Sequence, residues 1–283
     1  MFVQLYCTNS ERENLMKRIA LVLAFAMSAA LTSAAQDKPK TDAPGKTETP
    51  KAEAPKTEAK AAALPALDDI LDKHVKAVGG KEALDKITSR SIKGAFDIDA
   101  FGVSGAPVEI FAKAPNKNSM KIDIPGFGVI NRIFDGANGW TSDPMLGLRE
   151  LSGVELAQMK REVEFYPESS FKKNYANMVV KGTEKVGSYE TYVIEAAPAE
   201  GASEKFYFDV NTGLLVRHDF VELESPQGKA PMQVYLEDYK VVDGVKIPHT
   251  VKRVTSEMTM VTKITEIKNN IEIEDAKFNK PSN

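Results

Sequence analysis

Three histidines (His74, His218 and His249), one thiol (Cys7) and 40 Asp or Glu side chains are the groups from which this 283-residue chain would build acid–base, nucleophilic or metal chemistry. A helical zinc site needs two histidines one turn apart, usually with a glutamate between them, so that both imidazoles reach one ion. The three here are scattered, with no His-Glu-x-x-His and no pair at i and i+4. Gly102-Val103-Ser104-Gly105 lacks the second spacer of a nucleophile elbow, and Gly79-Gly80-Lys81-Glu82 lacks the spacing and the hydroxyl of a phosphate loop. Both read as turns. The adjacent Glu237 and Asp238 are expected by chance in a chain this acidic and do not by themselves specify glycoside chemistry; they read as the wet side of a strand or as a hairpin contact to Lys246. A single cysteine excludes a disulfide framework, a cysteine zinc site and an iron–sulfur cluster. No catalytic residue, metal ligand or cofactor is assigned. The net charge of -3 leaves no basic surplus for a phosphate backbone, so no nucleic-acid partner is expected.

What remains is a scaffold, and the chain is organised to deliver it. Lys17 and Arg18 precede an apolar run from Ile19 to Leu31, followed by Ser33-Ala34-Ala35, the charge, apolar core and small-residue pattern of a secretory signal cleaved after Ala35. That run rises only about 20 Å as a helix, short of a hydrocarbon core of about 30 Å. Residues 1–15 lie upstream of the basic pair and read as a mis-assigned start. From 36 to 66 the composition collapses to Lys, Pro, Ala, Thr and Glu, which cannot bury enough surface to offset its ordering entropy, so a disordered linker is expected. The folded domain is expected over 67–283, outside the cytoplasm of a bacterium, in the periplasm.

In that domain Leu67, Ile70, Leu71, His74, Val75, Val78 and Leu84 recur at helical spacing, broken by Gly79-Gly80 before a second short helix from Lys81 to Lys86. Alternating segments follow. Ile92, Phe96 and Ile98, then Val108 and Ile110, then Met120, Ile122 and Ile124 each face away from charged neighbours, the pattern of an antiparallel sheet with one wet face. Asp135-Gly136, Asn211-Thr212-Gly213 and Asp243-Gly244 mark hairpin corners. About ten or eleven strands are predicted, interrupted by one helix whose Ser152-x-x-Glu155 has capping-box form and which runs toward Pro167. Two apolar segments, Pro125 to Ile130 and Pro144 to Leu148, read as loops that either plug the core or rim a cavity.

The order of four motifs carries a resemblance. Gly79-Gly80-Lys81-Glu82-Ala83-Leu84, Phe134-Asp135-Gly136 with Gly139-Trp140, Tyr207-Phe208-Asp209 with Thr212-Gly213-Leu214-Leu215, and Glu237-Asp238-Tyr239 with Val242-Asp243-Gly244-Val245-Lys246-Ile247-Pro248 resemble the LolA-like outer-membrane lipoprotein-sorting family over about 68–281. The resemblance implies an α+β fold: a single curved antiparallel β-sheet forming an unclosed half-barrel with a helical lid. It implies a periplasmic carrier that holds acyl chains of lipoproteins or lipids, and no catalysis; no symmetry element or heptad repeat argues for assembly, so a monomer is expected. On that fold the cavity is expected to be lined by Phe96, Ile98, Val108, Ile110, Met120, Ile122, Ile124 and Trp140. Phe127, Val129, Met145, Leu146, Leu148 and Met159 are expected at its lid and rim. The alternative on the same scaffold is an envelope sensor or protein-interaction module tethered through the linker. A hydrolase of unfamiliar pattern would instead require convergent polar side chains in a cleft.

Overall fold

The computed structural model describes residues 64–281, apart from 226 and 227. The expected signal sequence, and all of the expected linker but its last three residues, lie outside the described residues. Helix α1 (Leu67–Ala77) opens with Asp68 and Asp69 and closes with His74 and Lys76, an order that complements the helix dipole. Its buried stripe is Ile70, Leu71 and His74, one face at i, i+1 and i+4. Gly79 and Gly80, at φ 130° and 83°, turn the chain into α2 (Lys81–Asp85). A Cβ on Gly79 would lie 2.3 Å from the carbonyl oxygen of Gly244. Only glycine permits that approach, and beside it the Lys246 amide donates to the Val78 carbonyl at 2.8 Å.

Six strands follow: β1 (Ser89–Ile98), β2 (Val103–Lys113), β3 (Lys117–Ile124), β4 (Gly128–Phe134), β5 (Gly139–Asp143) and β6 (Gly147–Glu150). Helices α3 (Gly153–Glu162) and α4 (Pro167–Asn174) come next. The remaining strands are β7 (Tyr175–Val186), β8 (Tyr189–Pro198), β9 (Glu204–Asp209), β10 (Leu215–Ser225), β11 (Gly228–Val242), β12 (Val245–Val254) and β13 (Thr259–Asn269). The thirteen strands form one antiparallel sheet in the order β6-β5-β4-β3-β2-β1-β13-β12-β11-β10-β9-β8-β7. Its two ends, β6 and β7, do not pair with each other, so the sheet stays unclosed.

All four helices lie on one face of the sheet, the inner face. Helices α1 and α4 cover β7–β9 through Ile70, Leu71 and Phe171 on Ile194, Phe206 and Phe208. The α1–α2 corner packs Val78, Leu84 and Ile87 against Val245 and Ile247 of β12. Helix α3 sets Met159 on Phe134 of β4. Cross-strand partners share a face, so the register Val108↔Ile122↔Ile130 carries the inner face across β2, β3 and β4.

Three expectations are corrected. The strand count is thirteen because β4 begins at Gly128 and β6 at Gly147, inside the two segments read as loops. Ser152 does cap α3, but without a side-chain hydrogen bond; Glu155 pairs with Arg149 instead of closing a capping box. Pro167 starts α4 at its first turn, where its missing N–H costs nothing, rather than ending the helix before it.

Candidate functional site

The α1–α2 corner, the α3–α4 connection and the inner faces of β1–β3, β11 and β12 enclose a chamber of about 350 Å³. Its walls are mostly apolar, with Val78, Leu84, Ile92, Ile110, Phe165 and Leu236 among them. The polar groups that edge it are largely committed elsewhere. Tyr239 donates its hydroxyl to the Leu215 carbonyl at 2.7 Å, and Tyr166 donates to the Ile87 carbonyl at 2.9 Å. His74 Nδ1 lies 3.0 Å from the Gly213 carbonyl, to which the neutral ring donates. Burial pushes that imidazole down to about 4, only partly offset by the Gly213 contact, so His74 is a neutral core residue at pH 7.

Five charged residues line the chamber, Arg90, Glu162, Glu164, Glu168 and Lys246, and the half-buried Arg90 and Glu168 have no ion-pair partner among the described residues. Arg90 stands on β1 at the same parity as Ile92 and Phe96. Its Nε donates to Asn269 Oδ1 at 2.8 Å, and its guanidinium carbon sits 5.6 Å from the centre of the Phe165 ring. Desolvation lowers its pKa, against the pull of Glu168. Glu168, in the first turn of α4, is raised above the ordinary carboxylate range by burial, with its own backbone N–H and Arg90 acting in the other direction. Among the described residues no ion pair joins the two, and no side chain bonds the Glu168 carboxyl.

A second polar cluster also sits on the inner face. Glu204 of β9 accepts from the Tyr175 hydroxyl at 2.7 Å, from Arg161 Nη2 at 3.0 Å, and lies 2.8 Å from His218 Nε2. Burial pushes the Glu204 carboxyl up, but His218, Tyr175 and Arg161 together outweigh it and hold the group below its ordinary range. The cluster ties α3 and the start of β7 to β9 and β10, and its bonds are all internal. His249 Nδ1 meets the Ile247 carbonyl at 2.9 Å. The three histidines thus occupy three separate settings, and among the described residues no group of His, Cys, Asp or Glu is placed to hold a metal ion.

Of the residues expected to line a cavity, Phe96, Ile98, Val108, Ile122 and Ile124 form one buried cluster, with Ile110, Met120 and Phe127 packed at its border. Of these, Ile110 also lines the chamber, whereas the others pack on one another beside it. Trp140, Val129 and Leu148 stand on the other face of the sheet, which corrects their assignment. Trp140 pairs with Ile133 and Glu150, Val129 with Asp123, and Leu148 with Ser142, all at the parity opposite to Phe134 and Ile122. Strand alternation dictates this once β4–β6 are strands rather than loops. The Trp140 indole N–H donates to Glu150 at 3.2 Å. Met145 and Leu146 are 44% and 58% exposed at the β5–β6 turn, while Met159 is buried beneath α3. Sequence reasoning passed over Arg90, Glu168, Glu204 and the His218 contact. Their signal is a charged or polar residue at an apolar-parity position, as Arg90 with Ile92 and Glu204 with Phe206; Glu168 had none until α4 was recognised.

An unclosed antiparallel sheet with helices on its inner face, enclosing an apolar chamber, defines a LolA-like fold. A solved LolA superfamily protein from Nitrosomonas europaea shares it at 14% identity and a TM-score of 0.51, covering 77% of this chain and 99% of that one. A DUF1329 family protein from Desulfovibrio piger aligns at 13% identity and a TM-score of 0.49, over 75% of this chain and 96% of that one. An outer membrane lipoprotein-sorting protein domain from Vibrio parahaemolyticus aligns at 15% identity and 0.45, over 74% and 97%. No protein-family model and no curated protein matches the chain.

Proposed function

We propose that the protein is a monomeric, extracytoplasmic binding protein for acylated or otherwise hydrophobic cargo, a carrier that shields acyl chains from water and catalyses nothing. The supporting observation is the apolar chamber of about 350 Å³ between helices and sheet, a size within the range of small-ligand sites. Burying a dozen methylenes is worth roughly 10 kcal/mol, and association costs of about 4–15 kcal/mol cancel much of it. Binding is therefore reversible, as a carrier that must release its cargo requires.

The test is to produce the full chain in a bacterial envelope, purify it without detergent, and examine it by native mass spectrometry with organic extraction. Acyl lipid at near-stoichiometric level is the expected result. A protein that is empty and also fails to take up a fluorescent acyl probe would overturn the reading in favour of a module that binds other proteins.

A further inference from the structure

The acyl-binding reading explains the chamber's apolar walls and leaves Arg90 and Glu168 without a task. Arg90 is half-buried; its Nε donates to Asn269 at 2.8 Å and its guanidinium lies over the Phe165 ring. It lines the chamber, and among the described residues its two Nη groups make no hydrogen bond. Glu168 reaches the same chamber from α4 with no side-chain partner among the described residues. Both side chains are half-buried against apolar walls, where a charged partner is held more strongly than in open water. We propose that the chamber binds a single-chain amphiphile with a carboxylate head, a fatty acid in chemical class, held by the Nη edge of Arg90 and the carboxyl of Glu168. This rests on the acyl-binding reading and adds the head group to it.

Three observations favour a carboxylate. With Nε occupied, the paired Nη groups form a planar two-donor edge that matches two carboxylate oxygens. Burial acts to raise the Glu168 pKa, and a carboxylate bound beside it acts the same way, so the two carboxyls share a proton instead of repelling each other. The Arg90 guanidinium brings a single positive charge and suits a singly charged head, whereas a phosphate monoester brings nearly two charges. Of the other charged residues lining the chamber, Glu162 is paired with Arg132 at 2.9 Å, Glu164 with Lys173 at 3.2 Å, and Lys246 is exposed to solvent. The geometry also gives the tail a direction. A head at Arg90 leaves the chain to run past Ile92 and Ile110, the chamber's apolar wall on β1 and β2.

The experiment is isothermal titration calorimetry on the full chain, stripped of lipid, with sodium dodecanoate and with dodecanol at concentrations below micelle formation. Dodecanoate is expected to bind roughly tenfold or more tightly than the neutral alcohol of equal length. Arg90→Met should bring dodecanoate down to the level of dodecanol and leave dodecanol unchanged. Glu168→Gln, which keeps a donor, should preserve the preference. Equal affinity for the two heads, equal weakening of both by Arg90→Met, or loss of dodecanoate binding in Glu168→Gln would each overturn the head-group assignment. If neither compound binds, the acyl-binding reading falls with it; if both bind equally, only the head group does. The comparison on the unaltered chain decides the matter even where Arg90→Met does not fold.

Discussion

Replacing Glu204 by Leu tests whether the helices are held to the sheet by a buried charge cluster. The Glu204 side chain is only 6% exposed and that of Arg161 only 12% exposed, so neither ion has water to fall back on. Removing the carboxylate strips one bond each from Tyr175 and His218 and two from Arg161, and leaves the guanidinium buried without an anion. Breaking a buried pair from one side costs about 3–5 kcal/mol. In a domain of this size that is a fall of roughly 6–20 °C in unfolding temperature. Arg161→Leu should cost a comparable amount. The double variant should recover part of the loss, because no charge then stays buried and unpaired, giving a coupling energy of at least about 1 kcal/mol. Urea unfolding followed by circular dichroism at pH 7 measures all four corners of the cycle. A Glu204→Leu protein within about 1 kcal/mol of the parent, or strictly additive single losses, would refute the reasoning.

Three further outcomes follow from the geometry. Gly79→Ala forces a Cβ to 2.3 Å from the Gly244 oxygen at positive φ and should cost about 2–4 kcal/mol, whereas Gly80→Ala meets open space and pays only for its φ of 83°, about 1–2 kcal/mol, as thermal melts will show. Ile122→Asp places a charge in the buried strand cluster and should lose on the order of 4 kcal/mol together with acyl-probe binding, while Leu146→Asp, 58% exposed, should change stability by no more than about 0.5 kcal/mol in the same urea titration. His74 takes up its proton at about 4 in the folded chain against 6.5 in the unfolded one, so the unfolded state binds more protons between those values. The stability this contributes is complete above pH 6.5 and falls as pH drops toward 4, by roughly 3 kcal/mol in all. Glu204, also depressed, adds a further loss below pH 4.5. In urea titrations from pH 7 to pH 4, His74→Leu should flatten the first slope and leave the second.

Much of the architecture is legible in the residues, because periodicity reports burial directly. Helix α1, the glycine break, α2 and the start of α3 fall where the apolar spacing places them. The hairpin corners at Asn211–Gly213 and Asp243–Gly244 are real. Their deeper role was not legible: Gly213 lies against Lys73 and Gly244 against Gly79, so the turns are docking points for α1 and its corner. The short strands β4–β6 escaped because apolar residues on both faces of a brief strand look like an apolar loop, and with them went the parity that turns Trp140, Val129 and Leu148 outward. Helix α4 escaped because a proline reads equally well as a stop or a first residue. The chamber's charged pair escaped for a different reason. Alternation shows that Arg90 breaks the pattern of β1, but not that Glu168, on a helix far along the chain, faces the same space.

Every neighbour in the sheet is also the next strand in the chain, except at one place: β1 lies against β13, with Phe96 opposite Thr262 and Ile98 opposite Met260. The molecule is therefore two zigzag ribbons stitched along a single seam, and the thread for that seam is the last to be spun. At about 5–20 residues per second, β1 stands finished for roughly ten to thirty seconds before its partner has been synthesised. Through that interval its open edge is the most adhesive strip of the nascent chain. Removing Thr259–Asn269 would not trim a margin from this protein; it would split it down the middle.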